Sequence, residues 1–89
     1  WGTVSNEITV RPGRIAWYFG GYLDPEGDTV TVTASIGRVS QYQAEWTGVF
    51  VWSYAVPRTT PVGTRITVTV TATDARGAAR SIQFELRVR

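Results

Sequence analysis

Thr29-Val30-Thr31-Val32-Thr33-Ala34-Ser35-Ile36 and Ile66-Thr67-Val68-Thr69-Val70-Thr71-Ala72-Thr73 alternate hydroxyl-bearing and aliphatic residues without a break. Successive side chains of an extended chain point to opposite faces, so this period of two describes strands that bury one face and wet the other. Each stretch adjoins an acidic turn. Asp24-Pro25-Glu26-Gly27-Asp28 precedes the first, and Asp74-Ala75-Arg76-Gly77 follows the second.

Working outward, further turn signals stand at Arg11-Pro12-Gly13-Arg14, Gly37, Gly48 and Pro57 to Gly63. The segments between them predict seven strands, near Thr3 to Val10, Arg14 to Tyr22, Thr29 to Ile36, Val39 to Glu45, Val49 to Val56, Thr64 to Thr73 and Arg80 to Val88. No window repeats apolar residues at helical spacing. The fold class that follows is all-β, an Ig-like antiparallel β-sandwich with Greek-key connections. The inward sets are Val30, Val32, Ala34 and Ile36; Ile66, Val68, Val70 and Ala72; and Ile82, Phe84, Leu86 and Val88. A one-residue slip of the last strand would bury Gln83, Glu85 and Arg87, which sets its register. Phe50, Trp52 and Tyr54 share a face of the fifth strand and anchor the core. Trp52→Ala is expected to cost roughly 3 to 5 kcal/mol, read from the shift in a urea unfolding midpoint. Pro57 to Gly63, with two prolines, suits a stiff crossover between sheets.

At 89 residues the chain is one domain, 1–89, with a small core enriched by four Trp, four Tyr and three Phe. It contains no His, Cys or Lys. The usual neutral-pH base, thiol nucleophile, Schiff-base amine and commonest transition-metal ligand are therefore all missing, which argues against an enzyme. Its nine basic residues are all arginine, set against seven acids for a net charge of +2, too small and too scattered an excess for a nucleic-acid footprint. The longest apolar run, Ile15 to Phe19, is far short of the roughly 20 residues of a membrane helix, so no membrane insertion is expected. The chain opens at Trp1 without an initiator methionine or a charged-then-apolar leader, which predicts a piece of a longer polypeptide.

Read in order, Tyr22 to Val32, Ser35-Ile36-Gly37-Arg38-Val39, Gly48-Val49-Phe50-Val51-Trp52-Ser53-Tyr54, Val70 to Ala78 and the closing Phe84-Glu85-Leu86-Arg87-Val88 resemble bacterial Ig-like, cadherin-like tandem repeat domains. The likeness runs from Gly13 onward. It implies a module repeated in large secreted or cell-surface proteins, a stalk, spacer or adhesive unit, sometimes rigidified by calcium. Its implied partners are neighbouring domains of the same polypeptide and a protein or glycan ligand, outside the cell. Two departures stand out. Relatives often carry acidic residues just before the first turn glycine, where this chain has Arg11-Pro12, and Trp17 and Phe19 replace the usual small polar residues of the second strand.

The acidic turns admit two readings. In an Ig-type sandwich the second-to-third and sixth-to-seventh connections lie at one end, so Asp24, Glu26, Asp28 and Asp74 are candidate calcium ligands, calcium taking six to eight oxygens at roughly 2.3 to 2.6 Å. Alternatively, Asp-Pro-Glu-Gly and Asp-Ala-Arg-Gly are type I turns whose Asp side chains bond their own backbone, with no cofactor required. The aromatics divide likewise. If Ala16, Tyr18, Gly20 and Tyr22 face inward, Ile15, Trp17 and Phe19 face out, and Trp17, Phe19 and Tyr42 become a candidate binding surface. A bulge at Gly20-Gly21 or cover from Trp1 would remove it. Gln41-Tyr42-Gln43 reads as an edge strand alternating polar and aromatic residues, and Glu7, Glu45 and Glu85 as surface carboxylates rather than a glycosidase pair. The reading is a non-catalytic structural or adhesive extracellular module; the alternative is an accessory carbohydrate- or protein-binding module of a secreted enzyme.

Overall fold

A computed structural model describes residues 6–23, 29–44 and 47–89. Among these residues there are seven strands and no helix: β1 (Asn6–Val10), β2 (Ile15–Leu23), β3 (Thr31–Ala34), β4 (Arg38–Ala44), β5 (Thr47–Ala55), β6 (Arg65–Thr73) and β7 (Ala79–Val88). They form two sheets, β1-β7-β6-β3 and β2-β5-β4. This is the predicted Ig-like sandwich, with one amendment: β1 runs parallel to β7, from Asn6 beside Phe84 to Val10 beside Val88, while the other pairings are antiparallel. Parallel neighbours need a long crossover. Here the whole of the intervening chain provides it.

The alternation in the sequence becomes the core. Val32, Val68, Val70, Ile82, Phe84, Leu86 and Val88 line the inner face of one sheet, and Ala16, Tyr22, Phe50 and Trp52 that of the other. Phe84 joins the layers, its ring stacked on Tyr18 at 4.2 Å between centroids and edge-on to Trp52 at 5.0 Å. Trp52 is wholly buried and donates its indole N–H to the carbonyl of Ile36 at 2.6 Å. Gly37 turns the chain here at φ 85°, and a Cβ on it would strike that indole nitrogen at 2.7 Å. Only glycine suits the position.

β3 is shorter than the expected span of Thr29 to Ile36 because its partner β6 ends at Thr73, opposite Thr31, and the chain bends toward Gly37 after Ala34; the other edge of β3 is met by side chains. Gln41 and Gln43 of β4 reach across to the edge of β3. Gln41 Oε1 accepts from the Val32 amide at 2.8 Å, while its Nε2 donates to the Val30 carbonyl at 2.6 Å and to the Tyr22 hydroxyl at 3.2 Å. Gln43 Oε1 accepts from the Val30 amide at 3.0 Å. A carboxamide offers one acceptor and two donors, so Gln41 stands in for a peptide group of a missing neighbouring strand. The Val56–Thr64 segment crosses between sheets through turns closed by Thr60 N–H to Pro57 and Thr64 N–H to Pro61.

Gln41→Leu should strip the Val32 amide and Val30 carbonyl of partners and cost about 2 kcal/mol. Gln41→Glu should cost as much, since a carboxylate keeps the acceptor and loses both donors. Urea midpoints within a few tenths molar of the parent for both would show that water substitutes for the amide.

Candidate functional site

The two outer faces of the sandwich are chemically unlike. On the β1-β7-β6-β3 sheet the outward residues are Thr31, Thr33, Thr67, Thr69, Thr71, Ser81 and Gln83, partly bonded to one another, as in Thr71 Oγ1 to Ser81 Oγ at 2.8 Å and Gln83 Nε2 to Thr69 Oγ1 at 3.2 Å. Toward the β1 side the same face is charged. Glu7 lies opposite Glu85 and Arg65 opposite Arg87, a checkerboard in which Arg65 reaches Glu85 at 2.7 Å and Glu7 at 3.8 Å, and Arg87 reaches Glu7 at 3.8 Å. Like charges face directly across and opposite charges meet diagonally, so each repulsive pair is offset. Glu7 and Glu85 are thus held by arginines on a flat exposed surface. Glu45 lies outside the described residues.

The β2-β5-β4 sheet shows the reverse. Its ladder pairs Ile15 through Leu23 with Ala55 through Thr47 without interruption, so no bulge intervenes at Gly20-Gly21 and the facing inferred from alternation holds. Ala16 and Tyr22 are buried, Tyr18 is half-buried, and Ile15, Trp17 and Phe19 point out, the last two 53% and 69% exposed. Gly48 faces Tyr22 across the ladder and leaves the room that its ring occupies. Tyr42, on β4, is 70% exposed on the same outer face.

Register arranges these residues into rows. Trp17 lies beside Ser53, and Ser53 beside Arg38; Phe19 beside Val51, and Val51 beside Ser40; Gly21 beside Val49, and Val49 beside Tyr42. The structure therefore brings the predicted Trp17, Phe19 and Tyr42 onto one surface, with Val49 and Val51 between them. It adds Arg38, Ser40 and Ser53, which period alone had not tied to the aromatics. Strand pairing, not spacing along the chain, makes them neighbours. Trp1, considered above as cover for this face, lies outside the described residues.

Of the four acidic-turn residues only Asp74 is among the described residues. β3 begins at Thr31, whose partner is Thr73, next to Asp74. Asp24, Glu26 and Asp28 themselves lie outside the described residues. Asp74 Oδ1 accepts from the amides of Arg76 at 2.9 Å and Ala78 at 3.0 Å, and the Asp74 carbonyl accepts from Gly77. Gly77 has φ 88°. That is the self-bonded turn of the second reading, with one carboxylate oxygen left over. Among the described residues no three acidic or other metal-ligating side chains cluster.

No protein-family model matches this sequence, and no curated protein sequence does. A solved structure of the sialic acid binding region of a Streptococcus sanguinis SK1 adhesin, bound to 3'sLn, is similar to it with a TM-score of 0.66. The two are 21% identical, and the match covers 98% of this chain but 29% of the adhesin chain. The likeness extends over the whole sandwich and is one of fold. This chain spans less than a third of the length of that neighbour.

Asp74→Ala should lower stability by about 1 kcal/mol in the presence of a chelator, because two turn amides lose their acceptor. Millimolar calcium should leave that loss unchanged if the carboxylate only closes the turn; a loss that grows with calcium would mark Asp74 as a ligand. Thermal melts of both proteins in both buffers decide it.

Proposed function

We propose that this chain is a non-catalytic adhesive module of a bacterial cell-surface protein, displayed outside the cell, whose contact surface is the outer face of β2-β5-β4. The observation that carries this reading is the asymmetry of the two outer faces. A sandwich needs only its inner faces to fold, and the β1-β7-β6-β3 sheet shows the ordinary outcome, a hydroxyl-lined surface at ease in water. Ile15, Trp17, Phe19, Val49 and Tyr42 are each more than half exposed on the opposite sheet. Contiguous apolar surface of this kind marks a site of interaction on soluble proteins. Aromatic anchors carry a large share of binding energy in such surfaces.

Two further points support it. The residue types needed for most catalysis near neutral pH are missing from the chain. The fold is shared with part of a bacterial adhesin whose described region binds a sialylated glycan. A spacer role in a tandem array is compatible with the same fold, and calcium at Asp74 together with Asp24, Glu26 and Asp28 would stiffen the end of the sandwich in that role.

Beads carrying the chain should be retained on mucin-coated or cell-wall-coated surfaces under flow. Trp17→Ala combined with Phe19→Ser should reduce retention by about tenfold or more. Both side chains lie outside the core, so the variant should melt within about 0.5 kcal/mol of the parent. Equal retention of parent and variant would refute the adhesive face and leave the spacer.

A further inference from the structure

Resting on the adhesive reading above, we propose that the β2-β5-β4 face binds a linear acidic polysaccharide, one carrying carboxylates on recurring sugars, with Trp17 and Phe19 stacking on sugar rings and Arg38 pairing with a carboxylate. Three observations select this occupant over a protein partner or a second copy of the chain.

The first is area. Nine residues of β5 at about 3.3 Å each, across three strands about 4.8 Å apart, give a face of roughly 30 by 14 Å, about 400 Å² in projection. A standard protein interface draws on about 20 to 30 residues a side, and this face offers only about a dozen outward positions among the described residues, about half of what a stable dimer or protein complex uses. It is long and narrow, the footprint of an extended chain.

The second is polar chemistry in the rows. A sugar presents apolar C–H patches on its ring faces and hydroxyls around its rim, and needs an aromatic ring beside hydrogen-bonding groups. Ser53 adjoins Trp17, and Ser40 shares a row with Phe19. The C–H groups meet the negative face of the aromatic ring. The serines can donate to and accept from the rim hydroxyls.

The third is charge. Arg38 closes the row of Trp17 and Ser53, about 10 Å from the tryptophan across two strand spacings. It makes no ion pair with a described residue, whereas Arg65 and Arg87 are tied to Glu7 and Glu85. No described residue facing outward from this sheet is acidic. A guanidinium binds a carboxylate through two parallel hydrogen bonds, and Arg38 at the end of the tryptophan row suits a carboxylate carried on a sugar held there.

Binding is measured by affinity electrophoresis and calorimetry at physiological ionic strength with three probes: polygalacturonate, which has a carboxylate on each sugar; dextran, which has sugars without charge; and poly-L-glutamate, which has carboxylates without sugars. Polygalacturonate should bind and the other two should not. Trp17→Ala and Arg38→Ala should each weaken binding by about tenfold, while Thr71→Val on the opposite face leaves it unchanged. Dextran binding equally well, polyglutamate binding equally well, or either face variant without effect would overturn the proposal. Bead retention that survives excess polygalacturonate, and is lost when the coated surface is treated with protease, would assign the face to a protein and overturn the acidic glycan alone. Absence of both retention and polygalacturonate binding would overturn the adhesive reading as well.

Discussion

The contact between Trp52 and Phe84 is the constraint on which the rest of the sandwich depends. Two sheets stand about 10 Å apart, a gap that aliphatic side chains fill only by meeting from both sides. Phe84 crosses it with one ring, flat against Tyr18 and edge-on to Trp52, so residues of β2, β5 and β7 lock together at one point. The indole N–H extends the lock into the turn between β3 and β4 through Ile36. Packing and hydrogen bonding thus position the same ring. The start of β4, and with it Arg38, follows from where that ring sits.

Closure along the open flank uses a different device. β3 and β4 belong to different sheets and do not pair as strands, yet the edge of β3 is not left to solvent. Gln41 and Gln43 supply in side-chain form what a neighbouring backbone would have supplied, and Tyr22 joins through its hydroxyl. An exposed strand edge invites pairing with other chains. Filling it from within lets the outer face remain apolar without also offering a free edge at β3.

Much of this was legible in the residues themselves. Thr/Val alternation defined β3 and β6, and Ile82, Phe84, Leu86 and Val88 are all buried on β7 as their period required. Alternation also told which side of β2 would face out. Three features were not legible. The parallel pairing of β1 depends on a partner some eighty residues away, which no local pattern encodes. Gln41 and Gln43 bond the edge of another sheet, because their partners are backbone groups of β3 that a reader of β4 cannot see. The association of Trp17 with Ser53 and Arg38 is a product of register across three strands, and register becomes visible only once the strands are paired. For the acidic turns, Asp74 bonds its own turn backbone, while Asp24, Glu26 and Asp28 fall outside the described residues.

The parallel run of β1 against β7 has a mechanical consequence. Tension that draws the leading end of β1 and the trailing end of β7 in opposite directions acts along the strands, so the five registered pairs from Asn6–Phe84 to Val10–Val88 are loaded together in shear. An antiparallel hairpin pulled at its open end would instead unzip one rung at a time. Shear requires many hydrogen bonds to fail in concert, and a fold joined in this way yields late under pull.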